Sequence, residues 1–288
     1  MKNQKHILSK LNINALNPMQ ELALETISAS DNTILLSPTG TGKTLAFLLP
    51  ALDLLDPNNP EVQVLILVPS RELAIQIEQV LRDMGTGFKV NAIYGGRAMS
   101  KDKIELKHTP AILIGTPGRI LDHFMADRLT KDHIKTLVLD EFDKSLEVGF
   151  EEQMTEILLE LPNLKRRILT SATEGVKIPK FVGMENPRRI NFLKKEIPSQ
   201  LTISTVVSKE KDKLNTLVQL LEFIGEEPGI IFCNYKDSIE SVNTFLSEQG
   251  ILHECFSGGM EQRDRERALI KFRNGSSRIL VATDLAAR

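Results

Sequence analysis

The sequence predicts an α/β protein made of two tandem units, each a parallel sheet covered by helices. Three observations predict it. Short apolar runs alternate with helix-period segments along most of the chain. A glycine-bearing loop, Ser37-Pro38-Thr39-Gly40-Thr41-Gly42-Lys43-Thr44, sits between one such run and a helix start. The alternation breaks once, at the charged, proline-bearing stretch Leu193-Lys194-Lys195-Glu196-Ile197-Pro198-Ser199-Gln200, and then resumes.

In order, strands are expected at 32–36, 64–68, 90–94, 111–114, 136–139 and 167–170, each a short run rich in Val, Ile and Leu. A helix opens at Leu45-Ala46-Phe47-Leu48-Leu49, and helix-period segments cover 71–84 and 150–160. Beyond the break come a strand at 202–207, a helix at 212–223, a strand at 229–233, a helix at 237–249 and a strand at 277–282. The expected domains are 1–192, a linker at 193–201, and a second unit at 202–288. That second unit is short for its class, so a truncated sheet with an open edge and exposed apolar surface is expected.

At 288 residues the chain exceeds a typical single domain. A formal net charge of −2 provides no global field for a polyanion, so any nucleic-acid binding must come from locally placed Arg, Lys and backbone donors. The two cysteines, Cys233 and Cys255, are too far apart in sequence for a metal pair; each is expected to be an inert thiol in a reducing compartment. The start, Met1-Lys2-Asn3-Gln4-Lys5-His6, lacks the apolar core of a signal peptide, and no run approaches the ~20 apolar residues of a membrane span. The cytoplasm is the expected location.

The loop at 37–44 carries the chemistry. A strand, a tight turn and a helix start aim backbone N–H groups and the positive end of a helix dipole at one spot, which binds anions. Lys43 reaches outer phosphates there, and the Thr44 hydroxyl ligates magnesium. The strict loop pattern asks for Gly where this chain has Ser37; Gly40 and Gly42 still supply backbone freedom. The strand at 136–139 ends in Asp140 and Glu141, at the sheet edge where ligands bind in open α/β folds. Asp140 is expected to hold the magnesium, through water, and Glu141 to orient or deprotonate an attacking water.

Taken together, the ordered motifs resemble one family. They are Leu16-Asn17-Pro18-Met19-Gln20, the loop at 37–44, Pro69-Ser70-Arg71-Glu72-Leu73-Ala74, Gly95-Gly96, Thr116-Pro117-Gly118-Arg119, Asp140-Glu141-Phe142-Asp143 and Ser171-Ala172-Thr173. Ile231-Phe232-Cys233-Asn234, Gln262 to Arg265 and Thr283-Asp284-Leu285-Ala286-Ala287-Arg288 continue the series. In this order they resemble the DEAD-box ATP-dependent RNA helicases, in a DEFD variant, over almost the whole chain.

The resemblance implies two RecA-like P-loop domains, ATP and Mg²⁺ as ligands, and RNA held mainly by its backbone without sequence preference. It implies that Gln20 reads adenine through N6 and N7; an aromatic usual upstream of that residue is replaced here by Asn3. Arg71, Gly95, Gly96, Thr116, Arg119, Gly258 and Thr283 are the implied RNA contacts, with Ser257 where many members carry His. Ser171 and Thr173, bonding Asp143, are the implied coupling between hydrolysis and strand separation. Phe142 stands where the family name has Ala, and its ring is expected in the core behind the strand. ATP and single-stranded RNA bound together are expected to close the two domains on a bent strand.

The family continues beyond the residue matching Arg288 into a segment bearing arginine fingers, each able to raise a rate by ~10³–10⁵. The sequence is therefore expected to be C-terminally incomplete and slow in turnover as it stands. A monomer with no membrane association is expected. The rival readings are a DNA-directed helicase of the same superfamily, an ATP-gated RNA clamp without turnover, and a free-standing P-loop kinase or switch.

Overall fold

The computed structural model describes residues 4–175, 177–193, 202, 204–208 and 211–283. The chain divides into two compact units, Met1–Pro198 and Ser199–Arg288. The division falls inside the expected linker, of which residues 194–201 lie outside the described residues.

The first unit runs α1 (Gln4–Lys10), α2 (Pro18–Ala29), β1 (Asn32–Leu36), α3 (Lys43–Asp53), β2 (Val64–Leu67), α4 (Arg71–Met84), β3 (Val90–Ile93) and α5 (Met99–Glu105). It continues with β4 (Ile112–Gly115), α6 (Pro117–Met125), β5 (Thr136–Leu139), α7 (Phe142–Glu147), α8 (Glu151–Leu159), β6 (Arg166–Ser171), a 3₁₀ turn at Lys180–Val182 and β7 (Arg188–Asn191). The seven strands form one sheet in the order β3-β4-β2-β5-β6-β1-β7. Every pairing in it is parallel.

Alternate strand residues feed two separate cores, as a sheet covered on both faces requires. Leu35, Ile66, Ile114, Val138 and Ile168 pack with α2, α3 and α4 on one face. Ile34, Leu65, Leu113, Leu137 and Leu169 pack with α6, α7 and α8 on the other. α3 is buried almost all round, from Leu45 to Leu52, and runs unbroken through Pro50. α4 starts at an N-cap Ser70 that accepts from the Leu73 N–H and stops at Gly85 in the left-handed region.

The second unit holds α9 (Leu214–Ile224), β8 (Gly229–Phe232), α10 (Lys236–Glu248), β9 (Glu254–Phe256), α11 (Gln262–Arg273) and β10 (Ile279–Ala282). Its parallel sheet has the order β8-β10-β9. Among the described strands β8 lies at an edge, and its Ile230 and Phe232 are exposed at 42% and 55%. The strand expected at 202–207 is a correction. Described residues 202 and 204–207 take neither strand nor helix form, and among the described residues no strand pairs with them. Cys233 is buried and Cys255 half-buried, and burial pushes both thiols up, as expected of inert sulfur.

Candidate functional site

Strand order places the motifs along one sheet edge. At the carboxyl ends of β1, β6 and β5 stand, side by side, the loop at 37–44, Ser171 to Thr173, and Asp140 with Glu141. At the carboxyl ends of β2, β4 and β3 stand Arg71, Thr116 and the Gly95-Gly96 turn. One half of the edge thus gathers the groups expected to hold a polyphosphate and the other half those expected to contact RNA.

The loop is built tightly. Ser37 is 1% exposed and its N–H bonds Ser171 O at 3.1 Å, so it prolongs β1. Its φ is not positive, which explains why Gly is dispensable here. Its hydroxyl pairs with the Thr41 hydroxyl at 2.8 Å, and Thr41 donates to Pro38 O at 2.8 Å. Lys43 Nζ lies inside the loop, donating to Ser37 O at 2.7 Å and Pro38 O at 2.9 Å. Burial pushes this ammonium below the usual lysine range, against the pull of Asp140, Glu141 and Asp143. α3 begins beyond Gly42 with no side-chain cap, so no capping side chain accepts from its first N–H groups. Thr44 follows in that first turn, half-buried.

Gln20 has an occupation that sequence reasoning missed. It is the N3 residue of a capping box: Oε1 accepts from Asn17 N–H at 3.0 Å while Asn17 Oδ1 accepts from Gln20 N–H at 3.0 Å. Its Nε2 donates to Gly42 O at 3.2 Å, and Asn17 Nδ2 donates to Thr41 O at 3.0 Å. The start of α2 is stitched to the phosphate loop. Gly42 sits at φ +87°, a conformation that favours glycine, and a Cβ there would displace the Gln20 amide. Asn3, the position of the missing aromatic, lies outside the described residues.

Asp140 is 3% exposed, and burial holds its carboxyl above the usual range, opposed by the Thr170 hydroxyl and Lys43. Thr170, another residue not singled out in the sequence, donates to Asp140 Oδ1. Glu141 N–H is shared between Asp140 Oδ1 and Thr170 Oγ1, both at 3.1 Å. Glu141 itself sits at φ +46°, a left-handed conformation that costs a non-glycine residue ~1–2 kcal/mol. Strain of this kind gathers at functional positions. Phe142 is fully buried in the second core, as expected.

Thr173 Oγ1 donates to Asp143 Oδ2 at 3.2 Å, joining β6 to α7 as the coupling reading requires. Ser171 does not reach Asp143. Its hydroxyl accepts from Thr173 N–H and donates to Thr173 O, both at 3.0 Å, closing its own turn. Asp143 Oδ1 is buried without a protein partner.

On the other half of the edge, the Arg71 guanidinium lies where a Cβ on Gly96 would stand, and Gly96 has φ +83°. Thr116 is 8% exposed at the N-cap of α6. Arg119 departs from expectation. Rather than facing outward, its Nε donates to Asp102 Oδ2 at 2.6 Å and its Nη2 to Arg97 O at 3.0 Å, leaving the side chain 10% exposed. In the second unit Gly258 lies in the turn after β9, and Thr283 N–H bonds Phe256 O at 3.3 Å. Both share the carboxyl edge of that sheet; Asp284 to Arg288 lie outside the described residues. A cavity of about 490 Å³, lined by Ile7, Leu24, Leu49, Leu52 and Phe88, sits at the far end of α3 and holds none of these groups.

The DEAD/DEAH box helicase family matches residues 17–180, and the helicase conserved C-terminal domain matches residues 212–288. The chain belongs to the DEAD/DEAH box helicase family. Among curated helicases it is similar to the ATP-dependent RNA helicase CshA of Limosilactobacillus reuteri, 35% identical over 94% of this chain and 56% of the relative. It is also similar to the ATP-dependent RNA helicase DbpA of Escherichia coli, 33% identical over 98% of this chain and 63% of the relative. The chain thus spans between about half and two thirds of the length of these two helicases. Among solved helicases, S. cerevisiae Dbp5 bound to RNA and ADP BeF3 superposes with a TM-score of 0.82 at 26% identity, over the whole of this chain and 75% of that one. No helix among the described residues of this helicase chain is long and apolar enough to cross a membrane.

Proposed function

We propose that the chain is the ATP-driven core of a cytoplasmic RNA helicase, which binds ATP with Mg²⁺ and a single RNA strand through its backbone, and acts as a monomer. The observation that carries this reading is the gathering, at the carboxyl ends of β1 and β5 on either side of β6, of an uncapped helix start, Lys43, Asp140 and Glu141. The donor set fits a magnesium nucleotide: N–H groups and an ammonium for phosphate oxygens, a hydroxyl and a carboxylate for a hard cation. Mg²⁺, when bound, would neutralise charge developing between the outer phosphates.

The roles of the chain's own residues follow from their positions. Lys43 would turn from Ser37 O and Pro38 O toward bound phosphates, Thr44 and Asp140 would hold the cation, and Glu141, kept in place by its shared N–H, would orient the water. Thr173 and Asp143 carry the nucleotide state from β6 to α7. Arg71, Gly95, Gly96 and Thr116 offer donors to an RNA backbone. The relatives' names, which specify ATP-dependent RNA helicases, support RNA over DNA.

Lys43→Ala tests the reading. Binding of a fluorescent ADP in Mg²⁺ is expected to weaken at least tenfold, while the melting temperature without nucleotide stays within a few degrees. Unchanged affinity in a folded variant would refute the site.

A further inference from the structure

A carboxylate outside every motif lies beneath the RNA half of the edge. Asp102, on α5, is 0% exposed. Its Oδ1 accepts from Arg97 Nε at 2.7 Å, and its Oδ2 accepts from Arg119 Nε at 2.6 Å and from His123 Nε2 at 3.0 Å. A buried charge survives only when it is paired and hydrogen-bonded, and here two guanidinium groups and an imidazole N–H do both.

The partners show what the pairing holds. Arg97 follows Gly96 directly. Beyond Asp102 it grips both Glu105 oxygens, at 3.1 and 2.6 Å, donates to Ala92 O at 2.9 Å and stacks over the Tyr94 ring at 4.7 Å. Arg119 lies in the first turn of α6, and its N–H bonds Thr116 O at 3.1 Å. Through Nη2 it also grips the backbone carbonyl of Arg97. One carboxylate therefore links the turn bearing Gly95 and Gly96 to the helix start bearing Thr116.

We propose that Asp102 is a positioning residue for RNA: by holding Arg97 and Arg119 together it fixes the Gly95-Gly96 turn against the start of α6, so that their backbone donors match the spacing of successive phosphates. The proposal rests on the RNA reading above and reassigns Arg119 from direct contact to support. Its sign is opposite to that of simple electrostatics. Removing a negative charge near the strand strengthens attraction of a polyanion if only the field matters. If Asp102 positions the donors, removing its charge weakens binding.

The experiment measures anisotropy of a fluorescein-labelled oligouridine with the 288-residue chain, Mg²⁺ and a non-hydrolysable ATP analogue, over a range of KCl. Asp102→Asn is expected to bind the strand at least tenfold more weakly. Fluorescent ADP affinity without RNA should stay within twofold, showing that the fold persists. Arg97→Lys, which keeps the charge but loses the planar fork, should weaken RNA binding in the same way, and it decides the matter if Asp102→Asn does not fold. RNA affinity equal to or above that of the parent in either folded variant overturns the proposal alone. A parent chain that fails to bind the strand overturns the RNA reading itself.

Discussion

Phe142→Ala restores the residue that gives the family its four-letter name, and the structure says it damages this chain. The ring is fully buried in the core that also contains Ile120, Phe124, Met154 and Ile157. Truncating such a ring removes its transfer energy and leaves a cavity, together ~3–5 kcal/mol. For a unit of this size, each kcal/mol moves the midpoint by ~2–4 °C, so the first unit should melt about 6–20 °C lower. Calorimetry of the nucleotide-free chain measures it, and the transition that rises with Mg-ADP identifies the first unit. At a temperature where the variant is folded, nucleotide affinity should stay within about threefold, because the ring packs behind the sheet edge. A fall below ~3 °C would refute the packing argument. Affinity lost while the fold persists would mean that the ring also positions Asp140 and Glu141.

Two further outcomes follow from buried polar groups. His123 is 0% exposed, and burial holds its imidazole below 6.5 in the fold. The unfolded chain then binds more protons between the two values, and stability falls as pH drops from about 6.5. His123→Gln, which can still donate to Asp102, should flatten the decline in melting temperature between pH 7.5 and 5.5; an unchanged decline refutes this. Thr170→Val removes the hydroxyl that bonds Asp140, at a cost of ~1–3 kcal/mol in urea unfolding, together with weaker Mg²⁺ dependence of ADP binding. A loss under ~0.5 kcal/mol would show that the hydroxyl is idle.

The first unit was legible in the sequence because its strands are buried on both faces and read as unbroken apolar runs. The runs at 32–36 and 136–139 end where the structure ends them. α5, β7 and β9 escaped notice because they are short and carry charged residues that blur any period. The run at 202–207 misled for the opposite reason: its residues favour a strand, but a strand needs a neighbour. At the site, the loop and the acidic pair were legible because their chemistry is tied to fixed spacing. Thr170 and Asp102 were not, since each acts through a partner outside its own element, and only the fold brings Asp102 to Arg119 and Thr170 to Asp140.

The position of β1 in the sheet also bears on how the chain is made. Its neighbours are β6 and β7, and Asn32 lies opposite Arg167, 135 residues further on (167 − 32). At ~5–20 residues per second, a ribosome takes about 7–27 s to deliver that partner. Throughout that interval Ile34-Leu35-Leu36 and the oily helix after it have no sheet to join. A nascent chain of this design carries that apolar stretch without its strand partners until β6 and β7 emerge.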